Sequence, residues 1–469
     1  MECSVSDNAD STVVQYMGLV RALVAEKQQQ TGRVPLAFTH HYGCQQNVSD
    51  GEKLDGMLAE MGYAFCNSPE EADLVLYNTC AIRENAEDRI FGNVGALKSA
   101  KRNNPDMVIC LCGCMVQQEH IADKLKRSYP YVDLVFGPSA LPHFPQLLWE
   151  HIHTGQRVFQ ILNPTTAITE GLPLRREGIR KVWVPIMYGC DNFCSFCVVP
   201  LVRGRERSRS TADILVEIKG LVAQGCREIT LLGQNVNSYR CGDADFVSLL
   251  RQINEIPGDY RVRFMTSHPK DCSQELLRAM AECTHVVKHL HLPVQSGCDR
   301  VLAEMNRRYT IAQYKEKIDY AREICPGMTF TSDIIVGFPG ETYAELQETI
   351  ALLREVRYLS LFTFVYSRRE GTRAARMDDP VPEAEKKQWF QELLAVQNQI
   401  SRELYEELVG QTLTVLVEGP AKAGDGLMSG RSEANLIVDF PAAAEDIGQF
   451  RQVTITKALN WALAGEIVR

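Results

Sequence analysis

Short apolar runs alternate with amphipathic stretches along two long tracts of this chain, and that alternation constrains the fold more than any other feature. In the first tract, residues 33–150, VPLAFTH, DLVLYN, MVICLCG and YVDLVFG read as strands, and EKLDGMLAEMG and ENAEDRIFGNVGALKSAKR as helices. In the second, residues 179–407, VWVPIMY, EITLLG, RVRFMTS, VVKHLHLP, MTFTSDIIVGF and LSLFTFVYS are each followed by a helix-like stretch. Strands separated by helices pair in parallel, with the helices covering the sheet, so the class is α/β. Six βα units would curl into an open or partial barrel, because a full eight-unit barrel takes about 250 residues. A parallel sheet also brings the carboxyl ends of its strands to one edge, where ligands gather.

Beyond Gly410 the period becomes that of strands alone: TLTVLVEG, LMSGRS, NLIVDF, RQVTITKAL and WALAGEIV. Residues 408–469 therefore predict a small all-β barrel. Residues 1–32 read as a helical extension with loose ends, and 151–178, with Asn163-Pro164-Thr165-Thr166, as a connector. A chain of 469 residues holds two to four such domains. The N-terminus lacks a basic stretch followed by an apolar core, and no run of about 18 apolar residues occurs, so neither export nor a membrane span is expected. Sixteen cysteines in such a chain point to a reducing, cytoplasmic setting and to metal or redox work. A monomer is expected. The net charge of −9 gives no hint of a polyanionic partner, so any nucleic-acid site must rest on local basic patches.

Two sets of three cysteines carry the chemistry. Cys190-xxx-Cys194-xx-Cys197 follows the strand-like KVWVPIMYGC and differs from the paired CxxC of zinc ribbons. Three thiolates on so short a loop would hold three corners of an iron–sulfur cluster and leave one iron open for chemistry. A zinc knuckle is the alternative. Cys44, Cys80 and Cys114 each stand just past a strand, flanked by Gly43, Thr79 and Gly113, and a parallel sheet would bring them together for a second cluster. The alternative is three small core residues. Cys110, Cys112 and Cys114 share one face if the strand alternation runs on, so the ligand could be misassigned by one step. The Arg203-Gly-Arg205-Glu-Arg207-Ser-Arg209 stretch would contact phosphate or orient a carboxylate, the alternative being a solvated loop with internal ion pairs. Arg307-Arg308 and Arg368-Arg369 are weaker candidates of the same kind, and His289 and His291 read as core or hydrogen-bonded residues.

The cysteine loop, together with YGCQQN, NTCAIRENAED, CGCMVQQE, GRERSR, LLGQNVNSY, TSHPKD, HLPVQSGCDRVLAEMNRRYT and SDIIVGFPGET, resembles the radical S-adenosylmethionine (SAM) methylthiotransferases from residue 33 to the end. The resemblance implies an N-terminal methylthiotransferase domain, a partial (β/α)6 radical SAM barrel and a C-terminal TRAM barrel. It implies two [4Fe-4S] clusters. Cys190, Cys194 and Cys197 would hold the one that binds SAM and yields a 5′-deoxyadenosyl radical. Cys44, Cys80 and Cys114 would hold the auxiliary one that presents sulfur. Phe196 would pack on the adenine, Gly233, Gln234 and Asn235 would touch the methionine end, and Ser332 and Asp333 the ribose, with Gly337 and Gly340 allowing close approach. The expected partners are the anticodon loop of tRNA and a one-electron donor such as a flavodoxin or ferredoxin. YGCQQN and NTCAIRENAED lie nearest the members acting on isopentenylated adenosine. Relatives acting on threonylcarbamoyl-adenosine, or on a ribosomal-protein aspartate, form the near alternative. A zinc-stabilised RNA-binding protein without catalysis is the distant one.

The TRAM-like segment would grip RNA through Lys422 and Arg431. Its charge balance works against that: Lys422, Arg431, Arg451, Lys457 and Arg469 face Glu418, Asp425, Glu433, Asp439, Glu445, Asp446 and Glu466.

Overall fold

The computed structural model describes residues 11–81, 84–163, 168–422, 424 and 426–468. The first ten residues of the expected extension, Pro164-Thr165-Thr166 of the connector, and Asp425 and Arg469 of the C-terminal charge balance lie outside the described residues. The chain divides into two compact units. One runs to Glu177 and takes in Pro185–Asp191 and Cys197–Asp213; the other holds Gly178–Val184, Asn192–Phe196 and the chain from Ile214 on.

The first unit is built on a six-stranded parallel sheet. Leu36–His41, Leu74–Thr79 and Val108–Gly113 lie side by side at its centre, and Ala64–Phe65, Leu134–Phe136 and Val158–Gln160 extend it outward. Alternation along the central strands sorts their side chains to two cores. Leu74, Leu76, Cys110 and Cys112 join one face, and Val75, Tyr77, Ile109 and Leu111 the other. Helix Ser11–Thr31 is a working part of the first face rather than a loose extension. Its Val13, Met17, Val20 and Val24 recur at helical spacing and pack with Leu54, Met57 and Leu58 of helix Gln45–Glu60. The connector likewise contributes the sheet's last strand, Val158–Gln160, which is too short to show a period in sequence.

The second unit contains the six expected strands of the longer tract. Lys181–Pro185, Glu228–Leu232 and Arg261–Phe264 form one run, and His289–His291, Thr329–Val336 and Ser360–Val365 another. A parallel bridge between Val262 and Val286 joins the runs into a partial barrel. The last strands, Thr412–Pro420, Leu427–Ser432, Ile437–Pro441, Phe450–Ala458 and Leu463–Ile467, close a separate five-stranded barrel around Val415, Val417, Val438, Phe440, Val453 and Ile455. Closure removes the free edges that so small a sheet would otherwise expose. At the joint between these two barrels Glu228 is buried among Arg261, Arg263 and Lys181, at 2.6, 2.7 and 3.4 Å. The same arginines donate to the carbonyls of Arg431, Ser432 and Glu433.

Candidate active site

Cys44, Cys80 and Cys114 follow the three central strands of the first sheet directly, so parallel pairing alone delivers them to one edge. Side chains then lock the strand ends together. Asn47 donates to Tyr42 O (3.1 Å) and Thr79 O (2.8 Å), Asn78 donates to Asn47 O (2.7 Å), and the Cys114 N–H donates to Thr79 O (2.9 Å). Gly43 and Gly113 turn the chain with φ of +103° and +98°. The turn at Gly113 breaks the strand alternation, so Cys114 leaves the face that Cys110 and Cys112 occupy. It packs instead with Ala81, Val198 and Val202, while burial pushes the thiols of Cys110 and Cys112 far up in pKa. A backbone turn thus separates Cys114, at the sheet edge, from Cys110 and Cys112 in the core.

The three thiols sense one another. A hydrogen bond with Cys80 pulls the Cys44 thiol down to about 6 against its burial, helped by the Arg203 charge and the Asn47 N–H. Cys44 also stands at the N-terminus of helix Gln45–Glu60, which favours a thiolate. Burial pushes the Cys114 thiol up to about 11, opposed by Arg203. A Cβ on Gly43 would stand 2.2 Å from Cys80 Cβ and 2.7 Å from its Sγ. Gly43→Ala is therefore expected to displace Cys80 and, if the three thiols hold a cluster, to lower the iron content, while the sheet still folds. Iron content and circular dichroism of the variant check this.

Each cysteine set has a buried arginine on one of its sulfurs. Arg203, with a side chain 6% exposed, donates through Nε to Cys114 Sγ at 3.1 Å, and through Nη2 to Asp50 (2.8 Å) and Asn47 (2.7 Å). Arg307 donates to Cys194 Sγ at 3.5 Å, Tyr309 Oη at 3.1 Å and Pro293 O at 2.5 Å, and meets no carboxylate among the described residues. Arg307, a buried guanidinium without a carboxylate, needs another anion, and a thiolate or thiolate-bound cluster at Cys194 supplies one, whereas Arg203 shares its charge between Asp50 and Cys114. The uncompensated Arg307 fits the Cys194 set to a cluster, and the Arg203–Cys114 contact is compatible with a second one. Among the described residues no three His, Cys, Asp or Glu side chains are set to share a single metal ion. A cuboidal cluster makes no such demand, since its thiolates bind separate irons.

The second cysteine loop is pinned along its length. Cys190 N–H donates to Gly204 O, Ser195 N–H to Met305 O, and Asn306 Nδ2 to the carbonyls of Asn192 and Phe193. Around the carboxyl ends of the second unit's strands lie buried polar atoms without partners: Gln234 Oε1, Asn235 Oδ1, Ser267 Oγ, His268 Nε2 and Tyr366 Oη. Buried polar atoms in this state mark a place for a polar ligand. Of the expected SAM contacts, Gly233, Gln234 and Asn235 stand here, with Asn235 also donating to Asp271. Asp333 is half-buried, 3.4 Å from His291 Nε2. Ser332 is placed differently: its wholly buried hydroxyl donates to Leu292 O and accepts from the Val294 N–H, which ties neighbouring strands together. Phe196 packs against an apolar group that includes Cys298, Val301 and Phe338. Ser267 and His268, in TSHPKD, were not singled out from sequence, since short polar residues after a strand read as a turn.

The arginine stretch mostly serves the fold. Arg205 pairs with Asp191 through two hydrogen bonds, and Arg209, 8% exposed, pairs with Glu170 in the same way. Arg203 and Arg209 are too buried to meet an RNA phosphate, which returns them to the ion-pair alternative. Arg431 is engaged by Glu418 and Asn435 O, whereas Lys422 is exposed. No helix among the described residues is long and apolar enough to cross a membrane.

Comparison with known proteins agrees with this arrangement. Residues 37–137 match the model of Uncharacterized protein family UPF0004, 184–353 the Radical SAM superfamily and 406–468 the TRAM domain. A tRNA-2-methylthio-N(6)-dimethylallyladenosine synthase of Acetivibrio thermocellus is 47% identical over 97% of this chain and 95% of its own. One of Clostridioides difficile is 45% identical over 97% and 96%. Among solved structures, a radical S-adenosylmethionine methyltransferase from Kitasatospora setae shares the fold, with a TM-score of 0.55 at 14% identity over 84% of this chain and 76% of that one. On the strength of the near full-length relatives, the chain belongs to the tRNA-2-methylthio-N(6)-dimethylallyladenosine synthase family, within the radical SAM superfamily.

Proposed function

We propose that this enzyme transfers a methylthio group to C2 of N6-isopentenyladenosine next to the anticodon of tRNA, using two [4Fe-4S] clusters and SAM. The observation that carries the reading is the pair of cysteine sets, each with a buried arginine on one sulfur. Cys190, Cys194 and Cys197 would hold the cluster that reductively cleaves SAM to a radical able to attack an unactivated C–H bond. Cys44, Cys80 and Cys114 would hold the cluster associated with the inserted sulfur.

The chain's own residues orient and shield. Arg203 and Arg307 neutralise negative charge gathered on Cys114 and Cys194 in surroundings that water does not screen. Gln234, Asn235 and His268 offer buried polar atoms to the amino acid and ribose parts of SAM. Burial, then the charges of Arg307 and Lys270, pull the His268 imidazole down to about 2, so at neutral pH it is uncharged and its open Nε2 serves as a hydrogen-bonding group. The small C-terminal barrel would add RNA contacts through Lys422 and strand backbones, and an external one-electron donor is required.

The target is tested by mass spectrometry of tRNA from cells lacking the gene. The 2-methylthio isopentenyl nucleoside should vanish and its unmodified isopentenyl precursor should accumulate. Normal levels, with loss of a methylthiolated threonylcarbamoyl nucleoside or ribosomal aspartate, would move the activity to those substrates.

A further inference from the structure

Beside the auxiliary cysteines, within the first unit, lies a recess of about 220 Å³ whose lining includes Asp50, Lys53, His143, Tyr188, Arg203 and Arg207. Its charge is out of balance. Arg203 is paired with Asp50, whose charge also reaches Lys53 and Arg207, but neither of those two makes an ion pair of its own among the described residues. Lys53 Nζ reaches only the Tyr188 hydroxyl, at 2.8 Å. Arg207 Nη1 donates to the carbonyls of Arg203 and Arg205, and its buried Nε has no partner. The two cations stand 5.2 and 5.4 Å from the centre of the Tyr188 ring. Two recessed positive groups, one with an unused N–H, are stabilised by an anion that the protein does not itself provide.

We infer that this recess binds a small anion, and that the anion is hydrosulfide, held for the sulfur that methylthiolation consumes. The inference rests on the function proposed above. Two observations and the chemistry of sulfide favour hydrosulfide over an RNA phosphate. The recess is small, and the rest of its lining mixes apolar Leu141, Ile168 and Leu172 with the short polar Ser139 and Thr169. Its wall is Arg203 and Asp50, and the same Arg203 touches Cys114 Sγ, so one side chain separates the anion from a proposed cluster ligand. Hydrosulfide is also the ionised form of the simplest sulfur source near neutral pH. Binding here is ionic and moves no electrons.

Anaerobic crystals of the holoenzyme soaked in sodium bromide test the site directly. An anomalous peak flanked by Lys53 and Arg207 is expected, and sodium sulfide in the same soak should remove it. No peak, or a peak that sulfide leaves in place, overturns the inference whether or not the enzyme is active. In solution, Lys53→Met should raise the sulfide concentration for half-maximal methylthiolation at least about tenfold and leave tRNA affinity unchanged, while Lys53→Arg should restore the wild-type value. A tenfold change corresponds to about 1.4 kcal/mol, a fair share of one charge-assisted contact. A weaker tRNA affinity with a shallower salt dependence, at unchanged sulfide dependence, would assign the recess to a backbone phosphate and refute hydrosulfide. Wild-type enzyme that cleaves SAM yet never methylthiolates tRNA would strike the proposed substrate alone, since the bromide result stands apart from it.

Discussion

Cys80→Ala is expected to leave SAM cleavage intact and to reduce methylthiolated tRNA below detection, with iron falling from about eight to about four per chain. The reason lies in where the residue sits. Cys80 follows the middle of three central strands and hydrogen-bonds Cys44, and Gly43 has no side chain so that Cys80 can approach. Removing its sulfur leaves two thiolates, too few to hold a cluster that would depend on three. The strands themselves pair through backbone and through Asn47 and Asn78, none of which the substitution touches, so the rest of the unit should persist. Cys190→Ala should invert the pattern: about four irons remain, but 5′-deoxyadenosine no longer forms. Paired assays of 5′-deoxyadenosine, nucleoside product and iron on both variants separate the two roles. Methylthio product from Cys80→Ala would remove the auxiliary site from the mechanism.

Glu228→Gln should be the most damaging single change away from the cysteines, by about 3–5 kcal/mol. Glu228 is 3% exposed and shared by Arg261 and Arg263, with Lys181 nearby. The amide keeps the shape and removes the charge, which leaves buried guanidinium groups uncompensated just where they anchor the carbonyls of Arg431, Ser432 and Glu433. Thermal unfolding should fall by roughly 10 °C. Glu282→Gln is the control. It breaks a pair with Arg251 in which both side chains are more than half exposed, and should cost no more than about 1 kcal/mol. Acid should act at Glu228 as the substitution does. Burial raises its pKa, but Arg263, Arg261 and Lys181 outweigh burial and hold it at about 2, below its unfolded value near 4.5. The pairing therefore contributes its full roughly 3 kcal/mol above about pH 4.5 and loses it progressively as pH falls towards 2. Glu228→Gln should abolish that part of the acid sensitivity. A variant with unchanged melting and unchanged acid dependence would show that the cluster of charges contributes nothing net.

Much of the architecture was legible because it follows from local pattern. All six strands of the partial barrel and all five of the closing barrel stand where apolar alternation put them, and the cysteine loop announced itself by spacing alone. The convergence of Cys44, Cys80 and Cys114 also followed, since parallel strands share an edge. What was not legible depends on distance along the chain or on a single dihedral. Helix Ser11–Thr31 looked like an extension because its apolar stripe is narrow among polar residues, and only packing against Leu54, Met57 and Leu58 gives that stripe a purpose. The partners of Ser332 were not legible either, because a serine in a strand does not reveal which neighbouring carbonyl will take its hydroxyl.

The period of each segment and the identity of six cysteines are local properties, readable from neighbouring residues. Which arginines became counter-charges for sulfur was set by packing. Arg203 lies 89 residues from Cys114 and Arg307 lies 113 from Cys194, and in sequence each reads as a candidate for phosphate or a carboxylate rather than for sulfur. A guanidinium's role is set by the anion and the dielectric around it, and those arise only once distant segments have packed and excluded water.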